Sequence, residues 1–227
     1  FYDLIASSSL KVGHIKIVEK PIADAIGAGL DVMTARGVMI VDIGADTTEV
    51  SILSLGGIVL SKLIPVGGNR LDDSIKNMVK RKYNLYIGDK TAENLKKKLA
   101  CAFPTVEATL KVYGRDVVTG LPTEMEVSSS NIFEAISEYL FSIIDATKII
   151  LERTPPEISS DIIDSGIYVT GGSANILSLA DLMHQETDLK INICPDSANT
   201  VVNGLGKIME DPKLNILADV LKPKLFV

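Results

Sequence analysis

Apolar residues recur along this chain with two periods, and the alternation between them predicts the elements. Val38-Met39-Ile40-Val41 is a compact run with β-branched residues, the pattern of a strand buried on both faces. A polar turn, Asp42 through Thr48, leads into a second strand over Glu49–Leu55. Gly56-Gly57 reads as a hairpin turn, because glycine tolerates positive φ, and Ile58–Ile64 is the third strand. Gly67-Gly68 then opens a helix with Leu71, Ile75, Met78 and Val79 on one side. Upstream, Ile15–Val18 reads as a short strand and Pro21–Gly29 as a helix with proline in its first turn.

The middle, about residues 77–142, changes character. A lysine-rich helix over Thr91–Cys101 precedes two strand-like stretches, Val106–Tyr113 and Thr123–Val127, with turns at Gly114 and Gly120-Leu121-Pro122. Ser128-Ser129-Ser130 offers N-caps for a long helix in which Ile132, Ile136, Leu140, Ile143, Thr147 and Ile150 recur at helical spacing, until Pro155-Pro156 stops it. The last part returns to the first style. Gly166–Thr170 is a strand that runs into Gly171-Gly172-Ser173-Ala174 and a helix carrying Leu177, Leu179, Leu182 and Met183. Lys190–Cys194 and Ala198–Met209 add one more strand and helix. Strands alternating with helices predict an α/β domain with a mostly parallel, covered sheet, and the middle reads as a small α+β insertion.

Composition narrows the class. With 227 residues the chain can bury a real core, and a net charge of −6 argues against a nucleic-acid binder. Cys101 and Cys194 lie far apart without a C-x-x-C partner, so both read as packing residues of a reduced, cytoplasmic protein. No apolar run approaches the roughly 18 residues of a membrane span. The opening Phe1-Tyr2-Asp3-Leu4 has no Met and no signal-peptide pattern, and reads as an interior point of a longer chain. His14 and His184 fall in no ligand-spaced cluster and receive no role.

Two turns carry candidate chemistry. Asp42 ends a buried strand, where a carboxylate can orient water on magnesium, and the glycine and threonine just beyond can donate to phosphate oxygens. The rival reading is a plain hairpin whose Asp and Thr satisfy turn backbone. Thr170-Gly171-Gly172-Ser173-Ala174 also follows a strand, and its glycines would let a ligand approach backbone at a helix N-terminus. Together the two turns say more than either alone. The central expectation is that they face each other over one cleft.

In order and spacing the chain resembles the bacterial actin-like MreB family. The resemblance rests on Pro21–Leu30, Asp42–Val50, Leu55–Gly57, Val66-Gly67-Gly68, Thr91-Ala92-Glu93 with Lys96, Gly114-Arg115 through Pro122, Thr154–Glu157 and Val169–Gly172. It implies the C-terminal half of an actin-like ATPase fold (ribonuclease H-like). Residues 38–76 and 143–225 would form the larger nucleotide-binding subdomain, 77–142 a small inserted one, and 1–37 the end of the preceding subdomain. By the same resemblance Gly44, Ala45, Asp46 and Thr47, with Gly67 and Gly68, hold the phosphates of ATP, and Asp42 holds Mg2+ through water. Glu93 and Lys96 line the nucleoside pocket and Gly171, Gly172, Ser173 and Ala174 the adenosine side; the rival reading makes Glu93 and Lys96 a surface ion pair and Lys96-Lys97-Lys98 a solvated face.

Three departures from the family pattern bear on function. The residue before Pro21, a water-positioning glutamate in the family, is Lys20, with Glu19 one place earlier as a weak substitute. The phosphate turn reads Gly44-Ala45-Asp46 where three glycines are usual, and an aspartate 4 Å from one phosphate charge is opposed by about 4 kcal/mol at an effective dielectric of 20. The fold's first phosphate loop, a glycine-rich hairpin near its start, is expected but no second Asp-x-Gly-Thr type turn precedes Asp42. The resemblance therefore implies an ATP-binding cytoskeletal protein that polymerises into filaments for cell shape or motility, with weak ATP hydrolysis. A divergent paralogue of the kind found in wall-less bacteria fits. Self-association, paralogous filament proteins and peripheral membrane contact through the missing N-terminal part are the implied partners. Two alternatives stand beside it: a non-hydrolysing structural partner of an active paralogue, and a chaperone or sugar-kinase ATPase of the same fold.

Overall fold

A computed structural model describes residues 4–5, 7–9, 15–104 and 107–220. Parts of four sequence expectations lie outside them: residues 1–3, 6 and 10–14 of the first segment, His14, Val106 at the start of one strand, and residues 221–225 of the larger subdomain.

The Val38 run is the centre of the molecule. It forms β2 (Val38–Ile43), buried at every position, after β1 (Lys16–Ile17) and helix α1 (Lys20–Gly27). Its side chains alternate between two cores: Met39, Val41 and Ile43 pack on one face, and Ile40 joins Ile22, Ala23, Ala25, Ile26 and Ile208 on the other. Such a strand needs helices on both sides. It pairs antiparallel with β3 (Thr48–Ser54), which pairs with β4 (Gly57–Ile64).

After β4 come α2 (Gly68–Tyr83), β5 (Leu85–Tyr86), α3 (Asp89–Leu99), β6 (Thr109–Asp116) and β7 (Pro122–Ser128). The chain continues through α4 (Ser129–Glu152), α5 (Pro156–Ser165), β8 (Ile167–Thr170), a 3-10 turn (Gly172–Asn175), α6 (Leu179–Thr187), β9 (Ile191–Ile193), α7 (Thr200–Glu210) and β10 (Asp219–Val220). The five-stranded sheet has the order β4-β3-β2-β8-β9; β5, β6 and β7 make a separate sheet and β1 pairs with β10. Ser128 caps α4, its Oγ accepting from Asn131 N at 3.4 Å.

The sheet corrects one expectation. It is mixed, since β2 pairs antiparallel with β3 but parallel with β8, and β8 parallel with β9. Tight turns link β2, β3 and β4, and only antiparallel neighbours can be joined so. The edge strand β4 leaves Ile58, Val59 and Leu63 exposed, so the cover is incomplete there.

Local details differ too. The hairpin turn is Leu55-Gly56, at φ 51° and 74°, with Gly57 already paired to Ser54. That double positive φ is the type I′ geometry that matches strand twist. Pro155-Pro156 not only ends α4 but starts α5, with Pro156 in the first turn, where its missing N–H costs nothing. The Gly171–Ala174 segment does not open the following α-helix: a 3-10 turn intervenes, α6 begins at Leu179, and Leu177 is exposed.

Candidate functional site

Strands β2 and β8 run side by side in parallel, and their register places Asp42 opposite Thr170. Both candidate turns therefore leave the same sheet edge, at the C-terminal ends of adjacent strands, where open α/β sheets form their binding crevices. After Asp42 the chain turns tightly, Gly44 N donating to the Thr47 carbonyl at 3.0 Å. The first residues of α2 dock on that turn: Gly68 N donates to Gly44 O at 2.9 Å and Asn69 N to Ala45 O at 2.7 Å. Gly171, at φ +84°, crosses so near the end of β2 that a Cβ would stand 2.2 Å from Ile43 O and 2.6 Å from Asp42 Oδ1. The two turns are in contact. They border a cleft of ≈ 1210 Å³ whose other walls are α3 and the start of α7.

Lys96 reaches from α3 to the first turns of α2. Its ammonium donates to Gly68 O and to Asp72 Oδ2, both at 2.8 Å, with only 12% of its side chain exposed. It is therefore no part of a solvated lysine face. A Cβ on Gly68 would lie 3.1 Å from both Lys96 Nζ and Ser173 Oγ, so Gly68, Lys96 and Ser173 converge. Burial pushes the Asp72 carboxyl above its usual range, and the Lys96 hydrogen bond and charge oppose the shift. Glu93 pairs with Lys97 at 2.6 Å rather than with Lys96, an exposed helix-surface pair.

At the other end Lys20 Nζ lies 2.6 Å from Asp42 Oδ2 and 3.9 Å from Glu49 Oε2. One helical turn on, Asp24 is fully buried. The Thr170 hydroxyl donates to its Oδ2 at 2.5 Å, while the neighbouring Thr200 hydroxyl donates to the Ser197 carbonyl at 3.1 Å. Oδ1 of Asp24 has no hydrogen-bond partner among the described residues. Burial is the main reason its carboxyl is pushed up to about 6, with Asp42 adding to the shift and the threonines and Lys20 opposing it.

The profile of the MreB/Mbl protein family matches residues 5–216. The chain belongs to the MreB/Mbl family. It is 41% identical over 198 residues to the cell shape-determining protein MreB of Escherichia coli K12, covering 87% of this chain and 57% of that protein. It is 39% identical over 199 residues to the cell shape-determining protein Mbl of Bacillus subtilis strain 168, covering 87% and 60%. The crystal structure of MreB5 of Spiroplasma citri bound to AMPPNP superposes with TM-score 0.82 at 38% identity, covering 87% of this chain and 60% of that one. A MamK double helical filament shares the fold at TM-score 0.70 and 21% identity, covering 85% and 59%. The fold is actin-like, and the chain spans about 60% of the length of these relatives.

In this MreB/Mbl chain, ten residues singled out in the sequence border the cleft: Lys20, Asp42, Gly44, Ala45, Gly68, Glu93, Lys96, Gly171, Gly172 and Ser173. Five do not. Glu19 is exposed ahead of α1, and Ala174 is packed in the core. Gly67 lies under the first turn, where a Cβ would be 2.6 Å from Ala45 O. Thr47 contributes its carbonyl to the turn, and Asp46 accepts from Asn69 Nδ2 at 2.8 Å. Asn69, Asp72, Asn175, Ser197 and Thr200 line the cleft unforeseen, and Asp24 lies beneath it. A signal for Asp24 existed, a lone carboxylate inside Pro-Ile-Ala-Asp-Ala-Ile; none existed for Asp72, one of two adjacent aspartates on a polar helix.

The magnesium expected at Asp42 would have to compete there with a positive charge of the chain itself. An ammonium already holds Oδ2. Among the described residues no group of three or more His, Cys, Asp or Glu side chains could hold a metal ion. No helix among them is long and apolar enough to cross a membrane.

Proposed function

We propose that this chain is the nucleotide-binding part of an actin-like cytoskeletal protein, one that binds ATP in the cleft, assembles into filaments concerned with cell shape or motility, and hydrolyses ATP slowly. One observation carries the reading: the Asp42–Ala45 and Gly171–Ser173 turns touch at the ends of β2 and β8 and share a cleft with Lys96. The relatives support it, as MreB5 was crystallised with AMPPNP and MamK forms a double helical filament. Lys20 and Lys96 bring positive charge to the two ends of the cleft, and the glycine turns let phosphates approach backbone. Residues 38–76 and 143–225 would form the larger subdomain, 77–142 the smaller, and 1–37 the end of the preceding one.

Slow hydrolysis follows from Lys20. A carboxylate that positions the attacking water is worth about 10²- to 10⁴-fold in rate, and an ammonium bound to Asp42 cannot accept a proton. The same ion pair favours a second reading, a structural subunit that co-assembles with an active paralogue without turnover. Contact with a membrane would then come from outside the described residues.

The test uses the full-length protein. Gly172→Leu projects into open space, with no atom within 4 Å of its Cβ, so it fills the cleft without disturbing the fold. It should weaken ATP binding more than about tenfold while leaving the unfolding curve in place. Unchanged affinity would remove the nucleotide from this cleft. Sedimentation with and without ATP, with phosphate release measured in parallel, separates the two readings: ATP-dependent pelleting with slow release supports the first, and nucleotide-independent pelleting without release the second. Lys20→Glu should raise phosphate release, and no gain counts against the role given to Lys20.

A further inference from the structure

We propose that Lys20 is a tethered cation: its ammonium does at Asp42 what a divalent ion would do, so that nucleotide affinity is largely independent of free magnesium. The inference rests on the nucleotide reading above and adds to it the cation requirement of the site.

The ammonium is clamped between two carboxylates on neighbouring strands. Asp42 on β2 and Glu49 on β3 are register partners, and Lys20 reaches both, at 2.6 Å and 3.9 Å. Its root cannot drift, because Lys20 opens α1 and the next six residues, Pro21 to Ile26, are all buried. Yet 43% of its side chain is exposed and it lines the cleft, so the remaining N–H donors can meet a ligand oxygen. A lysine ammonium is a compact point charge suited to that task. The charged groups around it are accounted for: Asp42, Glu49 and the buried Asp24, whose titration both Asp42 and Lys20 influence.

Electrostatics supply the rest. A carboxylate in the cleft wall, Asp42, with Glu49 beside it on the next strand, opposes a polyphosphate, and one remedy is a divalent cation held by oxygen ligands. Here the remedy is built into the chain. A hard dication seated at Asp42 Oδ2 would meet an ammonium in contact with the same oxygen.

The experiment is a titration of the full-length protein with a fluorescent ATP analogue, in magnesium chloride and in excess EDTA. Wild type should bind in both media with dissociation constants within about threefold, whereas Lys20→Gln should lose about tenfold or more in EDTA and recover in magnesium. Circular dichroism checks that the exposed substitution leaves the fold intact. Wild-type binding that collapses in EDTA, or a Lys20→Gln variant as indifferent to magnesium as wild type, overturns the tethered cation while leaving the nucleotide reading in place. Absence of saturable binding in either medium overturns both.

Discussion

Gly27 of α1 and Gly204 of α7 cross backbone to backbone: a Cβ on Gly27 would stand 1.7 Å from Thr200 O, and one on Gly204 1.7 Å from Ala23 O. This crossing seats α1, and with it Lys20 and Asp24, against the α7 end of the cleft. In a free helix Gly→Ala gains about 1 kcal/mol, but here the new methyl meets main chain that cannot rotate away. Gly204→Ala should therefore destabilise by about 3 kcal/mol, the upper end for overpacking. Urea unfolding measures it, and a stabilised variant would show that the helices separate freely.

Lys96 and Asp72 form a mostly buried pair. Lys96→Met keeps the stem but strands the carboxylate and the Gly68 carbonyl, and should cost about 2 kcal/mol of stability. It should also weaken ATP binding about tenfold, the worth of one charge-assisted contact. Losing stability without affinity would confine Lys96 to a structural role.

Asp24 sets a pH dependence. Its carboxyl is raised from 3.8 to about 6, so the folded state holds a proton that the unfolded chain has released between those values. Stability from this group is complete below pH 3.8 and is lost as pH rises through about 6. The loss is on the order of 3 kcal/mol, from a shift of about two units. Asp24→Asn mimics the protonated acid and should flatten that part of the stability profile, followed by thermal unfolding from pH 4 to about 7.5. A profile unchanged by the substitution would assign the dependence elsewhere.

Cys194 should be nearly inert in the native protein. Burial, with the Asp24 charge adding to it, pushes its thiol up to about 11. Alkylation at pH 8, followed by mass spectrometry of its peptide, should run roughly 10²-fold slower than in urea, since the thiolate is the reactive form. Equal rates in both states would place Cys194 at the surface.

Much of this was legible in one dimension. The β-branched run at Val38–Val41, the helical spacing of Ile132 through Ile150 and the paired turns at Asp42 and Thr170 announced their elements, because burial on a strand or helix imposes a period on neighbouring residues. Boundaries were less legible. The I′ turn slid to Leu55-Gly56 because strand pairing, not glycine content, sets hairpin register, and two-residue β5 is held by β6 rather than by any pattern of its own. The stretch Arg115–Pro122 carries part of the family resemblance, and Asp116 Oδ1 closes the turn there by accepting from Val118 N and Thr119 N.

By itself the sequence determined what depends on near neighbours: which segments are strands and helices, where the chain turns, and that two small-residue turns end two buried strands. Only tertiary structure decided which charges meet. Lys20 with Asp42, Lys96 with Asp72 and Asp24 with Thr170 are separated along the chain by 22, 24 and 146 positions. Charge pairing depends on distances of a few ångströms, which sequence spacing does not encode across helices and strands. The same physics sent Asp46 to Asn69 and left Asp24 without water's solvation.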